Sequence, residues 1–207
     1  LGCGAGNALP LLAARFPGAA VSGVDGSAAM LRKAADAGFQ VQQGDIAQWT
    51  PEEPVDVLFS NAALHWLGDH ERLFPRLLGL LARGGVLAVQ MPAMHAEPLR
   101  AQQDAIARSG PWAERLAGIT SAPPILPAGA YYDLLRPRVA TLDMWYTEYL
   151  HVLQGPDPVV QWAMGTSLRP YLDALTEEER PAFLSAYGEA MRAAYPPRAD
   201  GTVLLPF

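Results

Sequence analysis

Cysteine is almost missing from this sequence. Cys3 stands alone, which excludes an intrachain disulfide and leaves a thiolate-rich metal site without ligands. The four histidines, His65, His70, His95 and His151, are scattered and form no HExxH pair, so no metal is expected. Clusters of Lys and Arg are lacking too. Fifteen basic against 21 acidic side chains give a net charge of -6, the wrong sign and pattern for a phosphate-backbone footprint, and no nucleic-acid partner is expected. No apolar run approaches the roughly 18 residues that read as a bilayer span, and no basic-then-apolar leader opens the chain. No membrane association and a cytoplasmic location are the matching expectations. An initiator Met is absent as well: Leu1 leads directly into residues that read as the loop after a first strand, so the sequence is expected to begin inside a domain.

What is present suits one soluble globular domain. The 207 residues are 50% hydrophobic and 17% charged, and a chain of this size buries about 70% of its extended surface. The first 90 residues alternate short apolar runs with helical patterns. Helices are expected over Leu9–Phe16, with Asn7 as cap and Pro10 in the first turn, from Ser27 as cap to a stop at Gly38, and over Glu71–Leu81 with a stop at Gly84–Gly85. Strands are expected over Ala20–Val24, Phe39–Gln42, Val55–Ser60 and Val86–Gln90. This alternation implies βαβ units, a parallel sheet and helices on both faces, an α/β Rossmann-like class.

Beyond Pro92 the rhythm changes. A helix is expected over Glu97–Arg108, then a Pro- and Gly-rich passage from Gly110 to Gly129, a short helix Tyr131–Leu135 closed by Pro137, and a long strand Leu142–Leu150. Short helices follow at Pro158–Met164 and Leu168–Leu175. A longer one reaches Ala194, with Thr176 and Glu179 at capping-box spacing. The reading is a single domain over 1–207. Residues 1–92 are its ligand-binding core, 93–130 and 152–199 are helical or loop cap elements, and 131–151 and 200–207 return to the sheet.

The sharpest chemical signal is Leu1-Gly2-Cys3-Gly4-Ala5-Gly6. Alternating glycines allow unusual dihedrals and close backbone approach, and a loop opening a helix offers amide N–H groups to a polar ligand. Asp25 follows 19 residues after Gly6, at a strand end, where a carboxylate accepts from ribose hydroxyls. Asp45, at the next strand end, suits an adenine amine with Ile46 against the ring, and Asn61 ends the fourth strand. Each has a plainer reading: the loop as a tight strand–helix turn, Asp25 as a cap for the helix beginning near Ser27. Three polar residues at successive strand ends favour a nucleoside pocket. A dinucleotide fingerprint fits less well, because its third glycine falls at Asn7-Ala8.

The GCGxG loop, Val24-Asp25-Gly26-Ser27, Gly44-Asp45-Ile46 and Asn61-Ala62-Ala63-Leu64-His65-Trp66 resemble the class I S-adenosylmethionine-dependent methyltransferases. Gln90-Met91-Pro92, Tyr131-Tyr132-Asp133, Trp145-Tyr146-Thr147 and Leu168-Arg169-Pro170 resemble more closely the bacterial trans-aconitate methyltransferase family. The resemblance implies S-adenosylmethionine as methyl donor. Gly2, Cys3, Gly4 and Gly6 would wrap its methionine part. Asp25 and Gly26 would serve its ribose, Asp45 and Ile46 its adenine with Met30 near the base, and Asn61 the transferred methyl. It implies a final strand after Phe207, hence truncation at both ends, and His65 stands where the family often has Gln.

The implied reaction forms a monomethyl ester on one carboxylate of trans-aconitate or a similar small acid. It needs alignment, here by Asn61, His65 and Trp66, and no acid/base residue is assigned. Arg169 is the first choice to grip an acceptor carboxylate, with Tyr131, Tyr132, Tyr146, Tyr149, Trp162 and Tyr171 around it. The plainer readings are a surface arginine and packing aromatics. Cys3 reads as a buried small residue. A methyltransferase for another small molecule and a non-catalytic adenosine-nucleoside-binding protein are the alternatives, and a monomer is expected.

Overall fold

The computed structural model describes residues 1–119 and 125–207; residues 120–124, within the Pro- and Gly-rich passage, lie outside the described part. In chain order the elements are α1 (Leu9–Arg15), β1 (Ser22–Asp25), α2 (Ala28–Asp36), β2 (Gln40–Gln43), β3 (Val55–Asn61), α3 (His70–Leu78), β4 (Leu81–Gln90), α4 (Pro98–Ser109) and α5 (Ala113–Leu116). There follow α6 (Ala128–Leu135), β5 (Leu150–Leu153), α7 (Pro158–Met164), α8 (Arg169–Ala174), α9 (Glu179–Ala194) and β6 (Val203–Pro206). These fall into two compact units, one of Leu1–Pro92 with Ile125–Asp143, the other of Ala93–Pro124 with Met144–Phe207.

The first unit has the Rossmann-like α/β arrangement that the alternating pattern implies. β1 pairs with β2 and β3 with β4, both in parallel. The glycine-bearing segment runs between the two pairs: the Cys3 N–H donates to the Val24 carbonyl at 3.0 Å and the Leu1 nitrogen to the Phe59 carbonyl at 2.7 Å. The loop therefore emerges where β1 and β3 end, the edge at which open α/β sheets bind ligands. Leu58, Leu64, Leu73, Phe74, Leu77 and Leu135 close this unit's core.

Local chemistry explains most boundaries. Pro10 lies in the first turn of α1, where its missing N–H costs no helical bond. Ser27 Oγ accepts from the Met30 N–H at 3.4 Å and caps α2. Asn7 does not cap α1; Ala8 holds that position, and the Gly6 carbonyl takes the Leu9 N–H at 3.0 Å. Gly84–Gly85 does not stop α3 either. The helix ends at Leu78 with Gly79 beyond it, and Gly84, at φ +82°, sits inside β4. There the register jumps from Val55↔Leu81 to Val57↔Val86, a bulge that only the glycine dihedral accommodates easily. The leucines before it resemble a continuing helix because burial selects them in either structure.

The second unit packs helices on Leu99, Leu116, Val160, Leu168, Phe183 and Tyr187. Its antiparallel pair β5–β6 is extended by one rung in which Tyr149 and Phe207 exchange backbone hydrogen bonds of 2.7 and 2.8 Å. The strand expected over Leu142–Leu150 is thus shifted: residues 142–148 carry no strand pairing, and the ladder begins at the rung to Phe207. The capping box is reciprocal. Thr176 Oγ1 accepts from the Glu179 N–H at 3.2 Å, and Glu179 Oε2 accepts from the Thr176 N–H at 2.9 Å. The regular turns of α9 begin at Glu179.

Candidate functional site

Gly2, Gly4 and Gly6 all adopt left-handed φ, at +65°, +53° and +86°. Two also face tight neighbours. A Cβ on Gly2 would lie 2.2 Å from the Ala63 Cβ, and one on Gly6 would lie 2.9 Å from the Ala34 Cβ. A side chain at Gly4 would meet nothing within 4 Å, so there glycine leaves the main chain approachable. Cys3 is partly buried; burial, then the Asp25 carboxylate, push its thiol pKa up, which opposes a thiolate nucleophile.

Asp25 fastens this loop to the end of β1. Its Oδ2 accepts from the Gly4 N–H and its Oδ1 from the Ser27 N–H, both at 2.8 Å. One carboxylate therefore orders the glycine loop and the entry to α2. The Gly44 N–H donates to the Asp25 carbonyl at 3.1 Å, and Gln43 Nε2 donates to the Gly26 carbonyl at 3.1 Å, so the loops after β1 and β2 lie side by side. Asp45 is exposed, with Oδ1 accepting from the Ala47 N–H at 2.9 Å. The Ile46 Cδ1 lies 3.5 Å from the position a Gly2 Cβ would take. Asn61 closes β3 in register with Gln90, and the next residue, Ala62, is left-handed at φ +52°. Loops carrying Gly2–Gly6, Asp25–Gly26, Asp45–Ile46 and Asn61–Ala63 thus come together at one edge of the first unit. Met30 is exposed in the first turn of α2.

The turn Leu64–Trp66 holds a buried His65 beside a Trp66 that is 57% exposed, with ring centroids 4.8 Å apart. Two of the expected wall tyrosines have internal tasks. The Tyr131 hydroxyl, buried, lies 2.5 Å from His70 Nδ1 and accepts from the Leu126 N–H at 3.3 Å. Tyr171, also buried, donates to Asp104 Oδ1 at 2.7 Å. Both depart from the expected open wall because each hydroxyl is used inside a core. Tyr132, Tyr146 and Tyr149 are exposed. Trp162 packs its ring 6.1 Å from His151 and 5.7 Å from Phe207. Arg169 is exposed and pairs with Asp173 one helical turn on, at 3.7 Å. Among the described residues, no three His, Cys, Asp or Glu side chains group for a metal ion, and no helix is long and apolar enough to cross a membrane.

Some residues that build the site gave no signal in the sequence. Ala63 and Ala34 matter for the methyl groups that stop short of Gly2 and Gly6. His70 is buried, with Nε2 2.9 Å from the Leu64 carbonyl. Arg76 donates to the Trp49 carbonyl at 2.8 Å and to the Ile46 carbonyl. In the second unit, burial lowers the pKa of Arg100, and the nearby Tyr171, Tyr187 and Asp104 groups act in the opposite direction.

Residues 1–89 match the Methyltransferase domain family. The whole chain is 50% identical over 210 residues to a trans-aconitate 2-methyltransferase of Azoarcus sp., covering 82% of that protein. It is 49% identical over 212 residues to one of Methylobacterium radiotolerans, again covering 82%. Among solved structures, phosphoethanolamine N-methyltransferase 2 of Haemonchus contortus with S-adenosyl-L-methionine aligns with 98% of this chain and 45% of its own. The TM-score is 0.50 at 16% identity, a likeness of fold alone. The chain belongs to the class I S-adenosylmethionine-dependent methyltransferases, in the family of its trans-aconitate 2-methyltransferase relatives.

Proposed function

We propose that this protein transfers a methyl group from S-adenosylmethionine to one carboxylate of trans-aconitate or a similar small polycarboxylic acid, leaving a monomethyl ester and S-adenosylhomocysteine. The observation that carries the reading is the meeting of the four loops at the strand ends, three of them joined through Asp25 and the fourth reaching Gly2 through Ala63. The kinship with trans-aconitate 2-methyltransferases supports the acceptor class.

The residues present fit the methyl donor. Gly4 leaves main-chain groups without side-chain cover. Asp25 spends one lone pair of each oxygen on an amide, and a carboxylate retains further sites for ribose hydroxyls. Asp45 is suited to accept from the adenine amine, with Ile46 and Met30 as apolar neighbours of the base. When bound, the donor supplies an electrophilic methyl on a sulfonium sulfur. A carboxylate acceptor is ionised at neutral pH, so the protein has no proton to remove. The task left to Asn61, His65 and Trp66 is to align the acceptor and keep water out.

Arg169 is the proposed carboxylate grip. Its exposed pair with Asp173 belongs to a class worth about 1 kcal/mol or less, which leaves the guanidinium open to exchange partners. A net charge of -6 gives a tricarboxylate no long-range attraction, so local cations must capture it. The test is turnover with S-adenosylmethionine across a panel of small carboxylic acids, trans-aconitate included, with product masses recorded. Gain of one methyl, released by mild base as an ester is, is the expected result. Donor binding without turnover of any acid would overturn it in favour of a nucleoside-binding protein.

A further inference from the structure

We propose that Arg76 is a positioning residue for the adenine end of the donor site, acting through the loop that carries Asp45 and Ile46; this rests on the reading that those two residues receive the base. Arg76 lies on α3, on a helix whose buried side chains Leu73, Phe74 and Leu77 form the core. In the structure its guanidinium reaches back to the loop between β2 and β3, with Nη1 donating to the Trp49 carbonyl at 2.8 Å and Nη2 to the Ile46 carbonyl. Among the described residues Nε is buried without a hydrogen-bond partner, and the two carbonyls hold the head group.

Further hydrogen bonds close the loop on itself and on β2. The Asp45 carbonyl accepts from the Gln48 and Trp49 N–H groups at 2.9 and 2.7 Å, and Asp45 Oδ1 takes the Ala47 N–H at 2.9 Å. Trp49 Nε1 donates to Gln42 Oε1 at 2.8 Å, tying the loop's end back to β2. Residues 45–49 thus form a single turn bound to β2 by Trp49 and to α3 by Arg76. The planar fork of a guanidinium spans two acceptors at fixed separation, which a lysine ammonium cannot reproduce. One of those acceptors belongs to Ile46 itself, whose side chain approaches Gly2, and the residue before it is Asp45. Releasing the fork frees the main chain under both proposed adenine contacts, while the bonds of the Asp25 carboxylate to Gly4 and Ser27 do not involve Arg76.

The experiment compares binding of S-adenosylhomocysteine with that of its hypoxanthine counterpart, which lacks the exocyclic amine, by titration calorimetry. The wild-type protein is expected to prefer the adenine ligand about tenfold, and Asp45→Asn to flatten that preference. Arg76→Gln is expected to weaken the adenine ligand about tenfold and the hypoxanthine ligand much less, so the ratio collapses. Arg76→Lys should fall between. A merely structural arginine would weaken both ligands equally, and that result, or an unchanged ratio, overturns the inference. If Arg76→Gln does not fold, Arg76→Lys decides: an unchanged ratio there overturns it. Failure of Asp45→Asn to alter the wild-type preference would instead remove the adenine reading on which the inference stands.

Discussion

Three glycines in one short loop are required for different reasons, and the difference is measurable. Gly2→Ala meets both a left-handed φ and the Ala63 Cβ at 2.2 Å, whereas Gly4→Ala meets the dihedral alone. A left-handed non-glycine residue costs about 1–2 kcal/mol, and overpacking adds about 1–3 kcal/mol. Chemical denaturation should therefore show Gly2→Ala less stable than Gly4→Ala, and Ala63→Gly should restore part of the loss only in the Gly2 variant. Equal losses, or no rescue, would contradict this account. Donor affinity should show the reverse emphasis, because the Gly4 position opens to space that a methyl would take up. The alternation of glycines was legible in the sequence; the neighbours that make Gly2 and Gly6 irreplaceable were not. Ala63 and Ala34 are unremarkable letters until the chain folds. Asp25 illustrates the limit from another side. It does not cap α2, a task Ser27 performs itself; its oxygens bond the Gly4 and Ser27 N–H groups, a loop-ordering role that neither reading of the sequence contained.

Elements were legible where periodicity and capping agree. α2 begins after Ser27 as its side-chain cap requires, and the Thr176–Glu179 box is present in full. Boundaries failed where burial alone was the signal, as at the leucines before Gly84, or where a strand depended on a partner, as over residues 142–148. The box carries a pH dependence. The backbone N–H of Thr176, its hydroxyl and Arg115 favour the charged form of Glu179 and hold its carboxyl below the ordinary glutamate range. A depressed carboxyl contributes stability above its unfolded value, and that contribution fades as pH falls through the folded one. Thr176→Ala should cost about 1 kcal/mol near neutral pH. The gap to wild type should narrow below about pH 4, followed by urea unfolding at each pH. A gap independent of pH would assign the loss to something other than the Glu179 carboxylate.

At the scale of the molecule, the proposed donor contacts around Asp25 and the proposed acceptor grip at Arg169 are separate groups of residues. Substitutions should therefore separate by ligand. Asp25→Asn is expected to raise the S-adenosylmethionine requirement at least tenfold with little change in the acceptor KM. Arg169→Ala should raise the acceptor KM about tenfold with donor affinity intact. Steady-state kinetics with each substrate varied in turn distinguishes them, and an Arg169→Ala protein with the wild-type acceptor KM would remove the grip. Fold class was readable from the alternation of strands and helices, and the loops proposed for the donor were marked by glycines and acids at strand ends. The acceptor side was far less so, because an arginine or tyrosine looks the same in a sequence whether it meets a ligand or, as Tyr131 and Tyr171 do, a neighbour inside a core.

The Tyr131–His70 contact also joins two elements. The Leu64 carbonyl can only accept, so His70 Nε2 donates to it, while Nδ1 faces the Tyr131 hydroxyl. That hydroxyl also takes the Leu126 amide on its oxygen. One buried imidazole thereby ties the carbonyl of residue 64 to a side chain of α6, and the turn that bears His65 and Trp66 shares its anchor with that helix.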